Sequence, residues 1–352
     1  MSAGQCSASG ALDVAWCALL VTPLVVAGWR GTWELLDVHA AHFPPWESCV
    51  IGTLIHVVAG GAQEAFHALA MEGGEQRTPL GRLLLFLAMR SYTLVLHLAT
   101  NVQWRGESAQ RKPGLTVAAL RPLTGVWMLL DQHLGVVEEG RVRVAHAGVA
   151  LGLFAACLGL LGGMRCLRNL NSPPFGLCAD EGDPMFRFPN MFRTAMADGA
   201  ARYAADVVFS VGVVGNLGVV GWRGLWLLAE LLLSPCASLV LGYALVAALF
   251  LLQPTMQAVC DAPAGLRRLL AADAYMLAAV WAAVNVWRGL WTLLDRHFLP
   301  GSGPLGLWLC QGGALALLMA LRCSNSLLVR GVWRDGEEAG GSCVAFSVTL
   351  NK

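Results

Sequence analysis

A string of nine residues that carries an arginine and an acidic side chain occurs three times in the chain. It reads WRGTWELLD at 29–37, WRGLWLLAE at 222–230 and WRGLWTLLD at 287–295. On a helix the arginine and the acid share a polar edge. Because buried charges are costly unless they are paired, we expect the arginine of one copy to bind the carboxylate of a neighbouring copy and to clamp the luminal end of a helix bundle. Alternatively, the arginines face a common axis and line a luminal vestibule that attracts anions.

A fourth copy of the string is interrupted. Trp104, Arg105 and Gly106 are followed by the interval 107–125, and VWMLLD at 126–131 then completes the string. The interval is either a genuine luminal insertion or a retained intron, since the codons at both of its ends can contain splice signals. With this copy included, the predicted ion-pair residues are Arg30, Asp37, Arg105, Asp131, Arg223, Glu230, Arg288 and Asp295.

Each copy also carries two tryptophans and a glycine. Tryptophan at the end of a membrane helix suits the headgroup zone, and glycine allows another helix to approach closely. We therefore predict that the aromatic side chains are interfacial and that Gly31 marks a helix contact. The predicted interfacial tryptophans are Trp29, Trp33, Trp104, Trp127, Trp222, Trp226, Trp287 and Trp291.

Three ionisable side chains, His56, Glu64 and His67, lie within one apolar stretch. Ionisable groups inside a membrane are functional candidates, so these three are possible transport residues. The alternative is that they face a polar interior of the bundle.

Metal and catalytic chemistry have little support in the sequence. Three copies of the string extend to Asp-x-His, but the copy at 222–230 lacks this pair, and the eleven cysteines form no CxxC pair. Hydrolase, P-loop and zinc-protease signatures are absent. We therefore expect no metal, no cofactor and no catalytic residue, and we predict that the chain is not an enzyme.

The composition indicates a lipid environment. Of 352 residues, 56% are hydrophobic and only 13% are charged, which is too little charge to cover the surface of a soluble protein of this size. The formal net charge of +1 gives no basic patch for nucleic acid, so nucleic acid is not an expected partner. The expected surroundings of the chain are a lipid bilayer.

The apolar stretches predict an all-α, polytopic membrane helix bundle with about eight transmembrane helices. They form four repeated hairpins in two duplicated halves, with a first membrane half at 1–164, a cytosolic linker at 165–203, a second membrane half at 204–321 and a cytosolic tail at 322–352. Positive charge is in excess on the side of both termini, which places the termini in the cytosol. The predicted spans are 12–32, 48–70, 88–106, 144–164, 204–225, 236–253, 272–290 and 304–321.

The repeated strings, the eight predicted spans and the paired halves resemble the Fuseless family of presynaptic multi-pass membrane proteins. The likeness covers nearly the whole chain. The copies at 29–37 and 287–295 match the family pattern, whereas Ala229 and Glu230 replace Leu-Asp in the copy at 222–230. The resemblance implies a role in organising presynaptic sites, including the placement of voltage-gated calcium channels.

Two functions follow as expectations. The first is a non-enzymatic organiser in the presynaptic plasma membrane, in which the strings hold the bundle and the segments 165–203 and 322–352 contact membrane-protein partners such as calcium channels. The alternative is a transporter or channel, for which the internal duplication, Glu64 and the repeated arginines are the supporting features.

Overall fold

Apolar helices make up nearly all of the structure, a computed structural model. It describes residues 8–39, 45–71, 78–104, 137–138, 141–142, 144–177, 180, 186, 188–261, 263, 265–298, 303–329, 331–335 and 344. In these ranges the α-helices are α1 (Ala8–Trp16), α2 (Thr22–Val38), α3 (Pro45–Gly61), α4 (Gln63–Met71), α5 (Pro79–Trp104), α6 (Val144–Gly163), α7 (Ala200–Phe209), α8 (Asn216–Leu232), α9 (Pro235–Cys260), α10 (Leu266–His297) and α11 (Gly303–Ala320). Two short strands, β1 (Val137–Glu138) and β2 (Arg141–Val142), pair in antiparallel fashion.

Six helical segments are long and apolar enough to cross a membrane. They are Gly10–Val38, Pro79–Trp104, Ala200–Leu232, Pro235–Cys260, Leu266–His297 and Gly303–Ala320. Helices α3 and α4 meet at a bend of 53° and provide a seventh span if they are counted as one, while α6 is apolar but shorter. The chain is therefore an all-α, multi-pass membrane protein, as predicted, and the number eight stays a prediction.

A π-helical turn interrupts two of the long segments at equivalent places. Cys17–Val21 joins α1 to α2, and Ser210–Gly215 joins α7 to α8. In both segments the turn begins twelve residues before the first tryptophan of the string. A π turn rotates the side chains that follow it relative to those before it. The two segments therefore share this rotation of the helix face as well as the repeated string.

The most extensive helix contacts join successive units of the repeat rather than the two arms of one hairpin. Helix α3 packs on α5, α6 packs on α8, and α9 packs on α10. The series is closed by α2, which packs on α11, so the first and last long helices of the described chain are neighbours. The predicted hairpins are thus not the closest-packed helix pairs.

Glycines occupy the crossing points of these pairs. A Cβ on Gly31 would lie 2.9 Å from the backbone nitrogen of Gln311, near the middle of α11. Equivalent Cβ atoms on Gly224 and Gly289 would lie 2.5 Å from side-chain atoms of Phe154 and Leu239. The glycine of each described complete copy therefore permits close approach to a neighbouring helix, which confirms the prediction made for Gly31.

The described parts of the linker and of the tail pack onto the bundle. After α6 the chain forms a 3-10 turn, Leu167–Leu170, which we call the linker turn, and after α11 it forms another, Ser324–Leu327, the tail turn. Leu170 and Leu327 are buried. The interval 107–125 lies outside the described residues, as do Arg105, Trp127 and Asp131 of the interrupted copy.

Candidate functional site

The first tryptophans of the strings meet at the centre of the bundle. Trp29 contacts Trp104 and Trp287 edge to face, with ring centroids 5.4 Å and 5.8 Å apart, and Trp287 contacts Trp222 at 5.5 Å. Trp29, Trp222 and Trp287 are buried. The rings predicted to be interfacial thus pack on one another inside the protein, because the helices that carry the strings, α2, α5, α8 and α10, bring the same helix face to the centre.

The second tryptophans form a parallel row of contacts. Trp33 lies 6.0 Å from Trp291, and Trp291 lies 6.2 Å from Trp226, both edge to face. These three rings are only half-buried. Seven indoles in two rows therefore come from four helices, α2, α5, α8 and α10.

These indoles line a central cavity of about 530 Å³. The remaining wall comes from residues of the linker and the tail, together with Met276 of α10. The polar side chains in the wall are Arg168, Asn169, Asn171, Ser172 and Ser326. The cavity thus has an apolar, aromatic part and a polar edge that the linker and tail supply.

Indole hydrogen bonds attach the linker and the tail to the bundle. Trp29 donates from Nε1 to the carbonyl of Leu327 at 3.2 Å, and Trp222 donates in the same way to Leu170 at 2.8 Å. Trp287 donates to the carbonyl of Pro173 at 2.9 Å. A buried indole N–H needs an acceptor, so these rings fix where each segment enters the bundle.

The described arginines of the strings are held by partners outside the cavity wall. Arg30 of α2 donates from Nε to Asp295 of α10 at 2.5 Å, so this pair joins two copies of the string. Arg223 lies 3.6 Å from Glu230 within its own copy. In α10, Arg288 donates to Ser238 Oγ and to the carbonyl of Leu233, each at 3.0 Å. The acid of the first copy, Asp37, lies half-buried near the end of α2.

The described arginines of the strings therefore do not lie in the wall of the central cavity, and the luminal vestibule that the sequence left as an alternative stays a prediction. Arg30 and Arg288 are buried. A guanidinium in an apolar bundle is stabilised by close hydrogen-bonding partners, and these partners lie between helices rather than in the central cavity.

A carboxylate of the linker binds the tail turn. Asp180 accepts hydrogen bonds from Ser324 Oγ at 2.8 Å and from the backbone N–H of Asn325 at 2.7 Å, and it forms an ion pair with Arg90 of α5. Its own N–H donates to the carbonyl of Arg322 at 2.7 Å. We call this set of contacts the Asp180 cap.

A carboxylate of the tail binds the linker turn in the same way. Asp335 accepts from the backbone N–H groups of Leu167 at 2.7 Å and Arg168 at 2.8 Å, and its own N–H donates to the carbonyl of Arg165 at 2.7 Å. We call these contacts the Asp335 cap. The residue before each turn also matches, since Arg165 and Arg322 have φ values of 58° and 56°. The linker and the tail thus each supply an aspartate that binds the turn of the other segment.

The two caps differ in one helical side chain. Arg90 contacts Asp180, whereas the residue at the same distance before the string in α10 is Asp273, which interacts electrostatically with Asp335. Burial raises the pKa of Asp335, and the backbone donors and the nearby Arg168 charge oppose that rise.

The predicted transport residues lie outside the cavity wall. His56 is buried, with Nδ1 2.8 Å from the carbonyl of Gly52 and Nε2 3.0 Å from Thr100 Oγ1. Glu64 accepts from the N–H of Met196 at 3.5 Å, and His67 is half-buried. His56 connects α3 to α5, which is the polar helix interface that the sequence left as an alternative.

Several residues of the site were not identified from the sequence. Arg168, Asn171, Asp180 and Asp335 lie in segments without periodicity, and Arg90 lies in an apolar span outside the repeated strings. A signal was present in the repeat, since Arg90 and Asp273 both precede the first tryptophan of their copies by fourteen residues. Among the described residues, no group of three or more His, Cys, Asp or Glu side chains could hold a metal ion.

Comparison with known proteins gives one family. The family model described as Fuseless matches residues 9–110 and 114–328. The matched residues include every described tryptophan of the two rows, the linker turn and the tail turn. No curated protein and no solved structure matches the chain.

Proposed function

The chain belongs to the Fuseless family, and we propose that it is a non-enzymatic organiser of presynaptic membrane sites that places voltage-gated calcium channels. The family resemblance supplies the presynaptic role and the channel as partner. The observation that carries the proposal is that the described arginines of the strings are used for internal contacts, as the Arg30–Asp295 pair illustrates. Charges committed to holding helices together suit a rigid assembly.

The linker and the tail are the proposed partner-binding surface. The two caps hold these segments against the bundle, so their outer side chains have fixed positions. Phe192 and Met196 of the linker are 60% and 46% exposed, and Val329 and Trp333 of the tail are 40% and 41% exposed. Exposed apolar side chains on a fixed surface favour association with another protein.

We also propose that the bundle consists of two duplicated halves. The π turns, the left-handed Arg165 and Arg322, and the two caps occur at equivalent positions, which supports duplication. If both termini lie on the cytosolic side of the presynaptic plasma membrane, the linker and the tail would face the cytosolic parts of a channel.

The organiser function is tested by co-precipitation and rescue. In neurons that lack the protein, we expect the wild-type chain to restore the clustering of presynaptic calcium channels and to co-precipitate with them. The double variant Phe192→Ser/Trp333→Ser should lose both activities at normal expression. The control Phe298→Ser changes an exposed phenylalanine that directly follows α10, outside the linker and the tail, and this variant should retain both activities. Normal channel clustering in the absence of the protein would contradict the proposal.

Transport is the second candidate function, and the central cavity is the observation that favours it. Its wall includes none of Arg30, Arg223, Arg288, His56 and Glu64, so a pathway through it would not use the predicted residues. Flux into liposomes containing the purified protein separates the two functions. Robust uptake of a specific solute would show that the protein is more than a scaffold.

A further inference from the structure

The central cavity has the dimensions of a binding site for a small molecule. Its volume of about 530 Å³ lies within the range of roughly 300–1,000 Å³ found for ligand pockets. It is formed by four helices of the bundle and is bounded by two segments that the caps hold in place. A cavity with such fixed walls is preorganised, which lowers the entropic cost of binding.

The helical part of the wall selects an apolar ligand body. Seven indole rings face this region, and the first tryptophans are buried against one another. Three of the indole N–H groups are already bound to backbone carbonyls, as shown for Trp29, Trp222 and Trp287. Hydrocarbon that entered this region would replace water next to aromatic carbon, which is favourable.

The linker part of the wall selects a head group that accepts hydrogen bonds. Among the described residues, Asn171 Nδ2 has only Met276 Sδ as a partner, at 4.0 Å, and Ser172 Oγ reaches only the carbonyl of Pro173, at 3.5 Å. Both are weak contacts for donors that border the cavity. Arg168 adds a positive charge, stacked on Trp333 with its Cζ 5.4 Å from the ring centroid.

The charges of the wall determine the sign of the head group. Among the described residues of the wall, Arg168 is the charged side chain and no carboxylate is present, while the Asp335 carboxyl, whose pKa the Arg168 charge lowers, lies outside the wall. Indole faces attract cations, so a cationic amphiphile is the competing ligand class. A cation would face the guanidinium of Arg168 without an acidic partner in the wall, whereas an anion would meet three donors.

We propose that this cavity binds an amphiphile with a hydrocarbon body among the indoles and an anionic head group at Arg168, Asn171 and Ser172. A free fatty acid and an anionic membrane lipid share this chemistry. The inference is independent of the organiser function, because binding can be measured on the purified protein without a partner.

Quenching of tryptophan fluorescence by dibromostearate tests the proposal. The full-length protein is placed in nanodiscs of phosphatidylcholine and titrated with this brominated fatty acid, whose bromine atoms quench indoles on contact. We expect a saturable phase above the linear quenching of lipid-exposed rings such as Trp308, which is 60% exposed. Linear quenching alone would overturn the proposal.

Matched variants assign the saturable phase to the cavity. Arg168→Gln should raise the Kd of dibromostearate about tenfold, because it removes a charge-assisted hydrogen bond. Asn171→Asp should also raise it, because it places a carboxylate beside the head group. Arg267→Gln, at an exposed arginine at the start of α10, is the control and should leave the Kd unchanged. Equal effects of Arg168→Gln and Arg267→Gln would overturn the proposal, and gel filtration with a thermal melt identifies any variant that has not folded.

Competition distinguishes the head group and the source of the ligand. Oleate or dioleoyl phosphatidic acid should displace dibromostearate, and the stronger of the two identifies a free fatty acid or a membrane lipid as the natural class. Oleyl alcohol, which lacks the charge, should compete at least tenfold more weakly. Equal or better competition by hexadecyltrimethylammonium would show that the cavity prefers cations and would overturn the proposal.

Discussion

At the residue scale, each position of the repeated string has its own structural task. In the copy at 29–37, Trp29 reaches the centre of the bundle, Arg30 binds an acid on another helix, Gly31 admits a neighbouring helix and Trp33 joins the second aromatic row. Four different requirements thus fall on five consecutive residues. This explains why the string repeats as a unit and not merely as an apolar pattern.

Trp29 should be among the least replaceable of these residues. Trp29→Leu removes the hydrogen bond to Leu327 and three edge-to-face contacts, and it leaves a cavity, so we expect a loss of roughly 2–4 kcal/mol of stability. Trp308→Leu, on an exposed face of α11, should change stability by less than about 0.5 kcal/mol. Thermal unfolding in detergent measures both, and equal losses would contradict the assigned role.

The Asp335 cap should make stability depend on pH. Because burial raises the pKa of Asp335, the folded protein binds this proton more tightly than the unfolded chain, whose Asp pKa is about 3.9. The wild type should therefore gain stability relative to Asp335→Asn as the pH falls through the raised pKa, and lose it as the pH rises. Melting temperatures of both proteins between pH 7 and pH 4 test the sign. A gap between them that is constant or moves the other way would exclude this assignment.

At the element scale, glycine contacts determine which helices pair. The helix pairs α2/α11, α6/α8 and α9/α10 each have a glycine of the string at the crossing point. In a membrane, close approach of backbones replaces the hydrophobic effect as a source of helix association. The ring of helices therefore follows from where the small residues lie.

A methyl group should be enough to disturb this packing. Gly31→Ala would place a Cβ 2.9 Å from backbone nitrogen of Gln311, where no flexible side chain can yield, so we expect a loss of roughly 1–3 kcal/mol. Gly313→Ala is the matched control, since nothing lies within 4 Å of the added atom, and it should be neutral or stabilising by up to about 1 kcal/mol. Equal melting temperatures of the two variants would show that α2 and α11 are not in close contact.

The effect on stability of removing one side chain of the ion pair between α2 and α10 should depend on whether the other side chain is present. Asp295→Asn leaves the buried Arg30 without its carboxylate, and because the Asp295 side chain is 43% exposed, we expect a moderate loss of roughly 1–2 kcal/mol. In the Arg30→Leu background the same substitution should have little further effect. A double-mutant cycle on melting temperatures measures this coupling, and additive losses would indicate that the two side chains act separately.

The sequence predicted the parts of the fold that depend on local pattern. Apolar length and charge deficit indicated the membrane helices, repetition revealed the strings, and the cost of burying Arg30 indicated an acidic partner in another copy. The position of the tryptophans was not predictable in this way, because an indole suits both the headgroup zone and a bundle core. Asp180 and Asp335 could not be assigned either, since each acts on a turn far away in the sequence.

At the scale of the whole molecule, two sets of contacts join parts of the described chain that are far apart in the sequence. Helix α2 packs on α11, and the linker and tail exchange caps. The polar edge of the central cavity therefore depends on residues from both segments. A change in the tail should consequently be detected in the linker.

Limited proteolysis should reveal this dependence. Asp335→Ala removes the acceptor of the Leu167 and Arg168 N–H groups, so we expect trypsin to cut the linker at Arg168 or Arg193 at least several-fold faster than in the wild type. The control Arg267→Gln should be cut in the linker at the wild-type rate. An unchanged linker cleavage rate in Asp335→Ala would show that the tail does not hold the linker.

The Arg30–Asp295 pair also sets a condition on biosynthesis. The two residues are 265 positions apart. At a translation rate of roughly 5–20 residues per second, the nascent chain carries the Arg30 guanidinium for roughly 10–50 s before its acidic partner has been made. During that time Arg30 lacks the carboxylate that compensates its charge in the folded protein. A product that terminates before α10 therefore keeps the Arg30 charge permanently without this carboxylate.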